Sequence, residues 1–289
     1  MALLACIVPR YLVNCLFKAL IPRTQTYIYC YPAFILIRMD HSVIHGVHGH
    51  LFVTSIDNQV YAVKRLKTYT ETRRSAAIRE INTLRNVSHP HIIKYHSCDI
   101  SSDYVDIIME YAPGGDLQSL IALSLARQTF ISEKDIWKYA GEILSALAYL
   151  HERDLVHGDL KCANVVLTEE NHVKLADLGA CGAVDEVQSL GTPTYHSPEQ
   201  VLKQALDCKV DIWALGCLLY NLAALEHPFK GDNLAKIQQA ILRKTQNPLP
   251  CRYSKRLSSF ISLLLSKQAI QRPSAALALS HIPQSYISN

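Results

Sequence analysis

Four side chains between His157 and Gly179, a stretch that reads HGDLKCANVVLTEENHVKLADLG, have the types and spacing to handle a phosphoryl group. Asp159 is followed by Lys161 and Asn164, and Asp177 opens a later Asp-Leu-Gly triplet. Moving a phosphoryl group asks little covalent work of a protein. It asks for positioning, and for neutralisation of the charge that shifts toward the leaving oxygen. A carboxylate such as Asp159 can orient an attacking hydroxyl and accept its proton, while an ammonium such as Lys161 can steady the group in transit. Asn164 and Asp177 offer hard oxygen ligands, which magnesium takes together with water and phosphate oxygens.

A lone Asp-x-Lys would be weak evidence, because polar pairs at that spacing are common on solvated loops. The flanking pattern makes it stronger. Val165 to Leu167 and Val173 to Ala176 are short β-type runs separated by the polar turn Thr168 to His172, which predicts a hairpin. Asn164 then stands at the mouth of one strand and Asp177 at the end of the other, so the two oxygen donors converge.

With 289 residues and 49% hydrophobic composition, the chain can bury a sizeable core as one large domain or two lobes. A formal net charge of +4, with no Lys/Arg run longer than a pair such as Arg73-Arg74, gives no argument for a nucleic-acid partner. Nine cysteines are scattered singly with no CxxC, which argues against a structural zinc site or a disulfide framework and for a reducing, cytoplasmic setting. Met1 to Pro9 is apolar but lacks the positive leader of a signal peptide. Tyr27 to Ile37 is well short of the roughly 20 apolar residues a membrane helix needs, so no membrane association is expected. Residues 1–33 read as an N-terminal extension.

Toward the elements that must hold the four residues, β-type runs occur at Ile35 to Ile37, Val43-Ile44, Leu51 to Thr54 and Val60 to Val63, predicting an antiparallel sheet. His41, His45, His48 and His50 crowd this region; without a Cys or carboxylate partner they read as solvated loop residues rather than metal ligands. Ser75 to Val87 places Ala77, Ile81 and Leu84 at helical spacing, with Glu80 beside the apolar stripe. Two further β runs end at Ile107 to Glu110, and Pro113-Gly114-Gly115 then marks a turn and a lobe boundary. Ser132 to Glu152 is an amphipathic helix with a capping-box-like start at Ser132 and Asp135. Asp211 to Leu222 is apolar nearly all round, so it is expected to be a buried helix whose leading carboxylate must be hydrogen-bonded. Leu234 to Leu242 and Leu257 to Leu265 complete the helical half.

From about residue 36 to 285 the chain resembles a eukaryotic-type Ser/Thr protein kinase, and more narrowly the NIMA-related (Nek) kinases. The resemblance rests on the stretch already quoted, on GTPTYHSPE from Gly191 to Glu199, on DIWALGCLLY from Asp211 to Tyr220 with His227-Pro228-Phe229, and on Asn247-Pro248-Leu249-Pro250 with Tyr253-Ser254. It implies an α+β, two-lobed fold: a small antiparallel β lobe with one helix at 34–110, a hinge at 111–115, and a larger, mainly α-helical lobe at 116–285, with 286–289 as a tail. It also implies Mg-ATP as phosphoryl donor and protein Ser or Thr as acceptor, with Lys161 and Thr192 favouring that acceptor class. Family members act in the cell cycle and on microtubule structures; a cytoskeletal association would come by that likeness alone.

The same resemblance distributes the site. Asp159 is the catalytic base, Lys161 its companion, and Lys64 of Tyr61-Ala62-Val63-Lys64 contacts ATP while paired to Glu80. Ile44, Gly46, Gly49 and Leu51 form the phosphate loop of pattern GxGxxGxV, with Ile44 where the first glycine belongs. Ala62, Met109, Glu110 and Ala112 take the adenine, Asp116 reaches the ribose or caps the next helix, and Asn164 and Asp177 hold Mg2+. Asp211 holds the catalytic loop, and Glu199 pairs with Arg272. Three departures stand out: Ile44, Cys162 for the usual proline, and Gly158 for the arginine that would hold an activation-loop phosphate. Phosphorylation of Ser189 is therefore not expected to be a strict on-switch. The rival to an active enzyme is a pseudokinase scaffold; a small-molecule kinase is disfavoured by the peptide-docking look of Gly191 to Glu199. The sequence leaves the oligomeric state open.

Overall fold

The computed structural model describes residues 49–183 and 191–286, together with the strand pieces Tyr27–Ile28 (β1), Ile37–Arg38 (β2) and Ile44–Gly46 (β3). The rest of the N-terminal segment, with His41 and His48, and Ser189 lie outside the described residues. The chain divides into two compact units, Met1–Asn86 with Ile93–Pro113, and Val87–Ile92 with Gly114–Asn289.

The smaller unit is built on a five-stranded antiparallel sheet in the order β3, Gly49–Ile56 (β4), Gln59–Lys67 (β5), Tyr104–Glu110 (β7) and Tyr95–Ile100 (β6). Of the run Ile35 to Ile37, Ile35 and Leu36 lie outside the described residues. Ile37–Arg38 pairs with Tyr27–Ile28 in a two-stranded sheet of its own. Glu71–Asn86 forms α1, starting four residues before the predicted Ser75. Its first turn carries charge rather than apolar periodicity, so the apolar pattern could not announce it. Ala77, Glu80, Ile81 and Leu84 are its buried residues.

The larger unit is mainly helical: Leu117–Ala126 (α2), Glu133–His151 (α3), Pro198–Val201 (α4), Lys209–Ala224 (α5), Leu234–Arg243 (α6), Lys255–Leu264 (α7) and Ala275–Ser280 (α8). Ser132 caps α3 by accepting the Asp135 N–H at 3.0 Å. Every residue of α5 from Val210 to Ala223 is buried, which places this helix at the centre of the unit and explains its apolar sequence on all faces. Small strand pairs flank the helices. Leu155–Val156 (β8) pairs with Gly182–Ala183 (β11), and Val165–Leu167 (β9) pairs with Val173–Leu175 (β10) in the register expected of the hairpin. Glu199 and Arg272 meet at 2.5 Å, and Arg272 also donates to the Lys209 carbonyl, so this buried cation ties α4 to the start of α5.

Candidate active site

The segment between β8 and β9 carries Asp159, Lys161 and Asn164, and it is held from beneath by α5. Asp211, fully buried near the start of that helix, accepts the backbone N–H of His157 at 2.8 Å and of Gly158 at 3.0 Å, and meets His151 Nε2 at 2.9 Å. Burial works against the Asp211 charge, yet hydrogen bonds from His151 and His157 outweigh it and hold the carboxyl below its ordinary value. A backbone clamp made by an ionised carboxylate is the strong kind of hydrogen bond. Gly158 has φ of 77°, a left-handed conformation costly to a residue with a Cβ, so this departure from the family pattern also suits the local backbone.

Asp159 stands at the centre of a dense polar network. Its Oδ2 accepts Lys161 Nζ at 2.5 Å and Asn164 Nδ2 at 3.1 Å, and its Oδ1 accepts the Thr192 N–H at 3.1 Å. Lys161 also donates to Thr192 Oγ1 at 3.1 Å, so one ammonium spans the carboxylate and the hydroxyl. Asn164 donates its amide a second time, to the Asp159 carbonyl at 2.9 Å. The Ala176 N–H donates to the Asn164 carbonyl at 2.8 Å, which fastens the residue before Asp177 to the mouth of β9. Asp177 itself has φ of 62°, and the Gly179 N–H reaches its Oδ1 at 3.4 Å. The backbone hydrogen bond between Ala176 and Asn164 ties the end of β10 to the start of β9.

Two contacts here had no sequence signal of their own. The Cys162 N–H donates to Tyr195 Oη at 3.3 Å, a bond that a proline at this position could not form. Gly191, with φ of 113°, lies so close to the loop that an added Cβ would sit 3.1 Å from the Gly158 carbonyl and 3.3 Å from Asp159 Oδ1. Both pairs join residues about 30 positions apart, a distance at which local patterns say nothing. The Cys162 thiol is buried, which pushes it up to about 12 and leaves it unreactive.

In the smaller unit, Lys64 Nζ meets Glu80 Oε1 at 2.7 Å, joining β5 to α1. Strand register puts Leu51 opposite Lys64, Lys64 opposite Ile107 and Ala62 opposite Met109. Because side chains two apart share a face, Leu51, Ala62, Lys64 and Met109 lie on one side of the sheet. Ile44 occupies the register position across from Leu51, and Gly46 faces Gly49 where β3 turns into β4. Glu110 ends β7, bonded by its backbone N–H to the Lys94 carbonyl, and Ala112 follows it, half-buried. Asp116, in the larger unit, caps α2 by accepting the Ser119 N–H at 2.7 Å, which is the second of the two roles weighed for it.

Residues 46–282 match the family described as protein kinase domain. The chain belongs to the protein kinase family. Within it, the likeness runs to kinases of the Nek group. The chain is 35% identical over 212 residues to a probable serine/threonine-protein kinase nek2 of Dictyostelium discoideum, covering 70% of this chain and 51% of that protein. It is 35% identical over 237 residues to nekl-2 of Caenorhabditis elegans, covering 77% and 66%. With human Nek2 it shares 33% identity over 232 residues, covering 75% and 52%. The chain spans about half to two thirds of the length of these relatives. Among the described residues, no helix is long and apolar enough to cross a membrane.

Proposed function

We propose that the chain transfers the γ-phosphoryl group of ATP to Ser or Thr hydroxyls of protein substrates, with Asp159 as the base. The observation that supports this most is the arrangement around Asp159. A carboxylate, an ammonium and a hydroxyl are held within hydrogen-bond reach of one another by backbone clamps, in an order suited to an incoming hydroxyl. The hydroxyl oxygen forms the new bond to phosphorus and its proton passes to Asp159. The bond between the γ-phosphorus and its bridging oxygen breaks, and that electron pair leaves with ADP. Lys161 steadies the transferring oxygens, and Lys64, aimed by Glu80, holds the phosphates of ATP.

The donor set fits magnesium. Asn164 spends its amide N–H groups on Asp159, which orients its side-chain oxygen for a ligand, and Asp177 adds a carboxylate. Two hard oxygens are what a Mg2+ ion that also keeps phosphate and water ligands asks of a protein. Bound there, the ion would neutralise charge on the phosphate oxygens. Ile44, Gly46, Gly49, Leu51, Ala62, Met109, Glu110, Ala112 and Asp116 complete the nucleotide's contacts in this reading. We take residues 34–285 as the kinase domain, acting in the cytoplasm; the described cysteines are free thiols, as a reducing compartment allows. Loop phosphorylation at Ser189 would have no Arg at position 158 to bind it and is not a strict on-switch.

The test is transfer of labelled γ-phosphate from Mg-ATP to a generic Ser/Thr substrate, beside Asp159→Asn, with Mg-ATP binding measured in parallel. Loss of a proton acceptor in the transition state lowers transfer roughly 10²- to 10⁴-fold, with nucleotide binding kept within a fewfold. Binding without transfer in the unaltered chain would favour the scaffold; neither binding nor transfer would overturn the reading.

A further inference from the structure

Beside the catalytic loop, within the larger unit, lies a small cavity lined by Gly158, Asp159, Gly191, Thr192, His196 and Asp211, among others. It offers about 10 Å³ to the centre of a water molecule, close to the roughly 10–15 Å³ that one water requires. It exists because Gly158 and Gly191 bring no side chains to it. His196 is the lining residue with an unmet need: its Nε2 is buried and has no protein partner. That atom lies 3.8 Å from where a Gly191 Cβ would be, and the same point is 3.3 Å from Asp159 Oδ1 and 3.1 Å from the Gly158 carbonyl. A ring nitrogen without a partner and two acceptors therefore border the same small space. A polar group buried without a partner is costly, and a water that bridges it to nearby acceptors removes that cost.

We propose that His196 is a positioning residue for the phosphoryl-transfer site, acting on Asp159 through one water held in this cavity. The water accepts the Nε2–H of His196 and donates its two hydrogens to Asp159 Oδ1 and the Gly158 carbonyl, so the imidazole N–H and both water hydrogens are used. The imidazole is neutral at neutral pH, since burial lowers its pKa against the opposing influence of the Gly191 backbone and Asp159. Neutral, it supplies one N–H without placing a second charge beside the base. The remaining Asp159 contacts already fix Oδ2 through Lys161 and Asn164; the water bridge adds a further hold on Oδ1 beside the Thr192 N–H. The other carboxylate on the cavity, Asp211, has both oxygens engaged by His151, His157 and Gly158.

This inference rests on the kinase reading, and its test separates the two. His196→Met and His196→Gln have nearly the same shape, but only Gln presents an N–H near the Nε2 position. His196→Met is expected to lower kcat roughly five- to tenfold, as loss of one hydrogen bond to the base would, with the KM for ATP and the unfolding temperature unchanged. His196→Gln is expected to restore most of the kcat. A crystal structure of the unaltered protein should show one water within hydrogen-bond reach of His196 Nε2 and Asp159 Oδ1. Equal kcat in the Met and Gln variants, or a cavity without that water, would overturn the inference. Absence of transfer in the unaltered chain would overturn the kinase reading instead, and the water alone would then decide whether His196 is tied to Asp159.

Discussion

The two units hold their functional residues by different means. In the smaller one, the defining contact runs between two side chains, Lys64 and Glu80, so it aims a single ammonium. In the larger one, side chains grip backbone: Asp211 holds the His157 and Gly158 amides, Asn164 the Asp159 carbonyl, and Asp159 the Thr192 amide. A contact between side-chain tips fixes one group, whereas a grip on backbone fixes every residue of the loop. Function in the small unit should therefore be separable from fold, and in the large unit it should not.

The strongest test of this difference is Asp211→Ala. It leaves buried amides without an acceptor and removes the partner of His151, so it should cost about 3–5 kcal/mol in denaturant unfolding and reduce phosphate transfer below detection. A variant that kept its stability would erase the contrast between the units. Gly191→Ala comes next. It places a Cβ 3.1 Å from the Gly158 carbonyl in a backbone with φ of 113°, which should cost about 1–3 kcal/mol. Transfer should fall more than tenfold, because the displaced carbonyl belongs to the loop carrying Asp159. Glu80→Gln is the counterpart in the small unit. The amide oxygen still accepts from Lys64, so unfolding should shift by only about 1 kcal/mol, while transfer drops roughly tenfold through a less firmly aimed ammonium. If Glu80→Gln unfolded as readily as Asp211→Ala, the small unit too would have fold and function joined.

The same contrast governs what could be read from the sequence. Asp211 was legible in part, because a carboxylate at the head of a helix apolar on all sides has to be hydrogen-bonded; that its partner is the catalytic-loop backbone came from resemblance. The β9–β10 hairpin was legible because its alternation and polar turn are local. Glu80 could be placed beside an apolar stripe, but its pairing to Lys64 came from resemblance. The bond from Cys162 to Tyr195, the close approach of Gly191 and the cavity at His196 were not legible at all. Each depends on how the segment after residue 190 folds back against the catalytic loop, which no local period encodes. The pairing of Ile37–Arg38 with Tyr27–Ile28 was missed for a related reason, since two-residue strands carry too little alternation to be seen.

Acid provides the smallest and most selective probe. His89 belongs to the short segment Val87–Ile92 that lies in the larger unit. Its Nε2 contacts Ser145 Oγ at 3.1 Å and its Nδ1 accepts the His91 N–H at 3.1 Å. Burial, aided by His91, Lys174 and Arg153, lowers its pKa from 6.5 to about 4. Between those values the unfolded chain binds a proton that the folded one refuses, so stability is full above pH 6.5 and is lost as the pH falls toward 4. His89→Gln keeps a side chain able to meet Ser145 but cannot titrate. The difference in unfolding temperature between pH 7.5 and 5 should therefore be larger in the unaltered chain than in the variant. Both tryptophans, Trp137 and Trp213, lie in the larger unit, so their fluorescence reports on it specifically. Equal acid sensitivity in the two proteins would mean that the segment gives way before His89 is protonated, and the larger unit would then be less firmly held at this edge than its backbone clamps suggest.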